Sequence, residues 1–199
     1  MYKQMNTIIP ELEAEHIFVK HHKIQTGEYI RAGLDSNRFL FEGIERGDIY
    51  TVLINKDKKQ VIMSDSPMEK RSNERFVKKA KGDVLIAGLG IGMILLAIQD
   101  KPGVKTITIV EKDQTIIDKI LPHIPINSKV KVIQGDIFKY KTKAYFNTIY
   151  FDIWNNISSR NIVQMYALLK MFKKNLLPEG FIDCWSLKYL LSNEYKKWD

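Results

Sequence analysis

The apolar positions of this chain change their period near residue 65. Before that point they fall into short segments of β type, Glu28–Ala32, Arg38–Glu42, Ile49–Ile54 and Gln60–Met63, with alternating or β-branched residues. The last two flank the polar stretch Asn55–Lys59, which reads as a hairpin turn. Residues 1–65 are therefore expected to form a small antiparallel β unit. Ser66-Pro67-Met68-Glu69 then reads as a helix start: serine as cap, proline in the first helical position, and glutamate three residues on to complete a capping box. That helix is expected to run to about Lys81 and to stop at Gly82.

From Asp83 onward strand and helix patterns alternate. Val84–Ala87 reads as a fully buried strand and Met93–Gln99 as the start of a helix. Thr106–Val110 is a β-branched strand, followed by a helix over Thr115–Leu121 and a third strand at Lys129–Ile133. Thr148–Asp152 makes a fourth strand. Ile162, Met165, Tyr166, Leu169 and Phe172 give Ser159–Asn175 a helical spacing, and Phe181–Trp185 is a fifth strand. Alternation of this kind predicts an α/β fold over residues 66–199, a mostly parallel Rossmann-like sheet with helices on both faces.

Composition changes this picture little. With 199 residues and a hydrophobic fraction of 45%, the chain carries a core without disulfides or metal. Its single cysteine, Cys184, has no internal partner, which fits a reducing compartment. Met1–Pro10 lacks the apolar stretch of a signal peptide. The longest apolar run, Val84–Ile98, holds three glycines and is shorter than the roughly 20 residues that span a bilayer. A cytoplasmic location with no membrane partner is the expectation. The net charge of +8 favours an anionic partner, but the excess is spread along the chain, with small knots at Lys139–Lys143, Lys173–Lys174 and Lys196–Lys197. A solvated basic surface and a nucleic-acid face are the two readings of it.

The candidate chemistry sits where the first buried strand ends. Val84 to Gly92 reads strand, then Gly88-Leu89-Gly90-Ile91-Gly92, then helix. Glycines serve where the backbone turns sharply or a ligand must touch the main chain, and amides opening the next helix suit a carboxylate or phosphate. Helix-on-strand packing is the alternative use of such a turn. Glu111 ends the next strand, 19 residues after Gly92, where an acid accepts hydrogen bonds from both ribose hydroxyls of an adenosine cofactor. A dinucleotide fingerprint wants glycine or alanine at the position held by Met93, which turns the loop away from NAD.

On these residues the segment 83–185 resembles the class I S-adenosylmethionine-dependent methyltransferases, four of whose motifs match in order. Gly88, Leu89, Gly90 and Gly92 match the loop that holds the methionine part of S-adenosylmethionine. Glu111, with Lys112 beside it, matches the ribose-binding acid. Gly135-Asp136-Ile137 matches the motif whose aspartate binds the adenine amino group and whose next residue offers an amide to the ring. Leu177-Pro178-Glu179-Gly180 resembles the common turn into the fifth strand. The resemblance implies an S-adenosylmethionine-dependent methyltransferase, with Asp152, at the end of the fourth strand, beside the sulfonium as cofactor ligand and candidate base. Capping near Asn155 and Asn156 is the other reading of Asp152. Phe151-Asp152-Ile153-Trp154 is not the signature of enzymes that methylate nucleobase amino groups.

The architecture also resembles the spermidine synthase branch, in which a β-rich unit and a strand–Asp–helix segment, here Ile62-Met63-Ser64-Asp65, precede the glycine loop. That branch carries two aspartates after its fourth strand where this chain has Asp152 and Asn155, and the net positive charge argues against a polycation. A non-catalytic protein that keeps the fold is the third reading, because only a short stretch follows Trp185; the incomplete sheet edge this implies favours self-association. Cys184 reads as a core thiol, Trp154 as a lid or core residue, and His16, His21 and His22 as loop histidines ahead of the β unit, with no metal site.

Overall fold

Val84, Leu85, Ile86 and Ala87 have no exposed surface, which a strand achieves only in the middle of a sheet covered on both faces. In the computed structural model, which describes residues 2–25, 45 and 47–192, they lie in β5 (Gly82–Ala87) at the centre of a five-stranded sheet. Its other strands are β6 (Val104–Glu111), β7 (Val130–Gln134), β8 (Phe146–Phe151) and β9 (Leu176–Cys184). The order is β7-β6-β5-β8-β9 and every neighbouring pair is parallel. Helices α1 (Pro67–Lys79), α2 (Met93–Ile98), α3 (Gln114–Lys119), α4 (Ile162–Phe172) and α5 (Leu187–Leu191) pack around it. This is the Rossmann-like α/β fold expected from the alternation.

The chain runs from β5 outward through β6 to β7, then returns to the other side of β5 for β8 and β9. The carboxyl ends of β5 and β8 therefore flank the point where the order reverses, the place where open α/β sheets bind ligands. The loop that begins at Gly88 leaves one of these ends and Asp152 leaves the other.

A second sheet precedes the first. Strands β1 (Leu12–Ala14), β2 (Ile17–Lys23), β3 (Ile49–Asn55) and β4 (Gln60–Ser64) pair antiparallel in sequence order. The hairpin across Asn55–Lys59 stands where the polar stretch predicts it, with Asn55 opposite Gln60. The expected strands at 28–32 and 38–42 lie outside the described residues. The histidines do not precede this unit: His21 and His22 belong to β2, opposite Thr51 and Tyr50. The alternation of buried Ile17 and Val19 carried that signal. Ile17, Val19 and Leu53 join the same apolar core as β5 and β8.

Two local expectations are corrected. Ser66 caps α1 by position, but its side chain makes no capping bond, and Glu69 turns inward instead of back to the cap. The segment Leu177-Pro178-Glu179-Gly180 is not a turn before the strand. It lies within β9 as a bulge, opposite the step from Phe146 to Thr148, with Glu179 at φ 58°.

Candidate functional site

The glycine loop is a set of backbone donors, nearly all of them engaged. Gly88 N–H donates to Val110 O at 3.0 Å and Gly92 N–H to Leu89 O at 2.8 Å. Leu89 N–H donates to Glu111 Oε2 at 2.7 Å, and Ile91 N–H to the thioether of Met63 at 3.1 Å. Among the described residues only the Gly90 amide is left open within the loop. Gly88, at φ +96°, passes so close to β8 that a Cβ would stand 2.1 Å from the Asp152 carbonyl oxygen. A Cβ on Gly90 would stand 1.9 Å from Met63 Sδ.

Glu111 ends β6 beside this loop, 7% exposed. Its second oxygen accepts from Asp113 N–H at 2.8 Å, so one carboxylate ties the glycine loop to the start of α3. Burial pushes its pKa up, and the amides of Asp113, Leu89 and Lys112 pull it back. The N-terminal sheet is fastened to the same place: His16 Nε2 lies 2.6 Å from Asp113 Oδ2, and Thr115 Oγ1 donates to Glu15 Oε2 at 2.8 Å.

These groups surround a cavity of ≈ 390 Å³ at the switch point. Of the positions singled out in the sequence, Gly88, Leu89, Gly90, Glu111, Lys112, Asp136, Ile137 and Asp152 line it. Gly92 does not. It stands behind the loop as the residue before α2, at φ +73°, where a Cβ would strike Ile124. Asp136 is engaged with its own surroundings: one oxygen accepts from Phe138 N–H at 3.0 Å and the other pairs with Lys112 Nζ at 3.1 Å. These contacts hold its carboxyl below the usual range. Trp154 is both wall and core, 9% exposed with its indole N–H on Gln164.

Sequence reasoning missed the residues that the N-terminal unit and α1 contribute: Asn55, Lys58, Ile62, Met63 and Glu69. Glu69 had a legible signal. It shares a buried helix face with Asn73 and Phe76 at spacings of four and seven, the face that packs on β8. Phe76 stacks on Tyr150 with ring centroids 4.1 Å apart, and Tyr150 OH donates to Asn73 Oδ1 at 2.8 Å. Tyr150 and Asp152 lie two residues apart at the end of β8, so α1 brings Glu69 over Asp152. Asp65, part of the strand–Asp–helix segment, is spent on structure: its carboxylate takes the amides of Thr51 at 2.6 Å and Met5 at 3.0 Å.

Burial pushes the Asp152 carboxyl up to about 7. Glu69 is pushed up to about 8, first by burial and then by the charge of Asp152. The unfolded chain releases the Asp152 proton near 4, the native chain only near 7, so native stability falls as pH rises through that window. Asp152→Asn keeps the shape without the charge. It is expected to melt at the same temperature as the wild type at pH 4 and several degrees higher at pH 8. That corresponds to ~1–2 kcal/mol once the solvent reaching the cavity is allowed for. A difference that does not change with pH would contradict the shift.

Cys184 is buried, with Sγ 3.8 Å from Met165 O, and burial pushes its thiol up. Among the described residues no three His, Cys, Asp or Glu side chains are grouped to hold a metal ion, and no helix is long and apolar enough to cross a membrane.

No protein-family model matches the chain, and no curated protein matches it in sequence. Solved structures do match its fold. The chain aligns with spermidine synthase from Thermotoga maritima at a TM-score of 0.50 and 16% identity, over 66% of this chain and 48% of that one. It aligns with the N-methyltransferase NodS from Bradyrhizobium japonicum WM9, in complex with S-adenosyl-L-homocysteine, at 0.46 and 19%, over 59% and 62%. A DhpI–SAM–HEP complex aligns at 0.45 and 17%, over 57% and 50%. The chain thus spans about half to three-fifths of the length of these proteins. At such identities the likeness is one of fold alone: a parallel Rossmann-like α/β sheet, here behind an antiparallel unit.

Proposed function

We propose that this chain binds S-adenosylmethionine in the cavity at the switch point and acts as a methyltransferase. One observation carries the reading: the buried Glu111 carboxylate, fixed by the Leu89 and Asp113 amides, faces a cavity rimmed by a loop bare of side chains at Gly88 and Gly90. A carboxylate oxygen that accepts one amide keeps a lone pair for a hydroxyl, so Glu111 has capacity left for a vicinal diol.

The donor set fits the rest of an adenosyl group. Val110, Ile116 and Ile137 offer an apolar slot for a flat heterocycle, and the Gly90 amide is open toward the chain beyond the ribose. Any side chain at Gly90 would meet Met63 and close that approach. When bound, S-adenosylmethionine supplies a methyl group on a sulfonium, already activated by its leaving group. What remains for the protein is orientation, potentially worth ~7–11 kcal/mol at the ideal limit, and custody of a proton. Asp152, with its carboxyl raised toward neutrality at the cavity wall, is the group that holds that proton.

Ligand binding to the native state alone stabilises it, by ~2.7 kcal/mol at 100 times Kd, and so raises the melting point. S-adenosylhomocysteine is expected to raise it by about 5–10 °C. NAD is expected to leave it unchanged, because Met93 fills the position a dinucleotide keeps small. Equal shifts from both, or a shift from NAD alone, would overturn the assignment.

A further inference from the structure

The positive charge of this chain is concentrated in one stretch. Residues 137–178 hold seven cations against a single acid, Asp152, so the rest of the chain is close to neutral. Asp152 lines the cavity, which leaves the outer charge of the stretch wholly positive. Its six lysines, Lys139, Lys141, Lys143, Lys170, Lys173 and Lys174, are all exposed. Among the described residues none of the six forms an ion pair; Asp136, close to Lys139, is paired with Lys112.

The fold gathers these lysines from two segments. Residues 137–145 lead from β7 to β8, with Phe138 on the cavity rim and Tyr145 at the far end. Helix α4 starts beside Trp154 of the same rim, whose indole donates to Gln164, and runs into the turn Lys173–Asn175. The far ends of the two segments are tied together. The buried Asn175 side chain donates from Nδ2 to Thr142 O at 3.1 Å and to Ala144 O at 2.8 Å. Lys141, Lys143, Lys173 and Lys174 each stand within two residues of one of these three. Four like charges are thus held around one buried amide, and a polyanion relieves their repulsion.

Aromatic rings accompany the charge. Helix α4 buries Met165, Leu168 and Phe172 and turns Tyr166 and Lys170, four residues apart, to solvent. Tyr145 is 61% exposed, Tyr166 51% and Phe138 36%. Exposed rings among unpaired lysines suit a chain that alternates flat bases with phosphates. A duplex keeps its base faces stacked inside, and lipid headgroups offer phosphate without a ring to stack.

We propose that this strip binds single-stranded nucleic acid, with Lys141, Lys143, Lys173 and Lys174 on its phosphates and Tyr145 under a base. The strip lies beside the cofactor cavity, shares only Phe138 with it, and does not depend on methyl transfer.

Fluorescence anisotropy with labelled oligothymidylate and oligouridylate of about 12 nucleotides, and with a duplex of equal length, tests this. Vesicles of phosphatidylcholine and phosphatidylserine form a further arm, read by co-sedimentation. At least one single strand is expected to bind ~10-fold or more tightly than the duplex; which of the two binds better tells DNA from RNA. The double variant Lys143→Ala, Lys174→Ala is expected to weaken binding and to lower the slope of log Kd on log salt by about 1.4, two phosphate contacts at ~0.7 each. Tyr145→Ala is expected to weaken it ~10-fold and to leave that slope unchanged. Lys119→Ala, which removes an exposed lysine of α3, is the control and should bind as the wild type does. All three proteins are expected to melt with the wild type and to bind S-adenosylhomocysteine as it does. No binding of either strand, equal affinity for strand and duplex, binding to vesicles alone, or unchanged affinity in the double variant or in Tyr145→Ala would overturn the proposal.

Discussion

Gly88→Ala is expected to lower the melting temperature by about 10 °C and to move the denaturant midpoint with it. The added Cβ meets the backbone of Asp152 rather than a side chain, so nothing flexible can move aside. The φ of +96° is strained for any residue with a side chain, at ~1–3 kcal/mol. The clash falls where β5 and β8 are joined by the bond from Asp152 N–H to Ala87 O, 2.9 Å long, so relieving it means spreading the centre of the sheet. A total of ~3–5 kcal/mol is a large part of ordinary domain stability. Gly103→Ala is the control: a Cβ there meets nothing within 4 Å, and its melting point should match the wild type. A Gly88→Ala protein as stable as the Gly103→Ala protein would mean that β5 and β8 do not approach as described.

Glu111→Ala is expected to weaken S-adenosylhomocysteine by about 100-fold and to destabilise the chain by ~1–3 kcal/mol. The two effects have separate causes. Removal of the carboxylate orphans the buried Leu89 amide and the half-buried Asp113 amide, although water entering from the cavity satisfies part of the loss. Release of a carboxyl whose charge is held against burial offsets another part. The binding loss has no such compensation, because the acceptor for the ribose hydroxyls is gone. Glu111→Gln should retain one of the two amide bonds and lie between wild type and alanine in both stability and affinity. A loss of stability without a loss of affinity would remove Glu111 from the cofactor site.

The part of the fold that could be read from the sequence is the part whose signal is local. Val84–Ala87 is apolar because a central parallel strand is covered on both faces, and the polar turn Asn55–Lys59 lies between two runs that pair with each other. The glycine loop, Glu111 and Asp136 were legible for the same reason, each following a strand within a few residues. Pairing over distance was not. Strand β2 finds β3 across more than 25 residues, and nothing local in His16–Lys23 says which partner it takes. The bulge at Glu179 hides half of β9, because a proline and a glycine look like a turn even when the neighbouring strand accommodates them. Met63 and Glu69 reach the cavity only because a hairpin and a helix dock on the glycine loop and on β8, so their roles depend on contacts the sequence does not spell out. The net charge of +8 is a property of the whole chain and says nothing of the cavity wall, where Glu69, Glu111, Asp113, Asp136 and Asp152 stand beside Lys58 and Lys112.

The central claim, an adenosyl-binding cavity built on the glycine loop, is tested most directly by calorimetric titration of S-adenosylhomocysteine into the wild type and into Gly90→Arg. Met63 is a flexible neighbour at that position, so the variant is expected to keep its fold by near-ultraviolet circular dichroism while the loop is blocked. Saturable binding of one molecule per chain in the wild type, abolished in Gly90→Arg, is the predicted result. No binding in the wild type, or equal binding in both proteins, would contradict it.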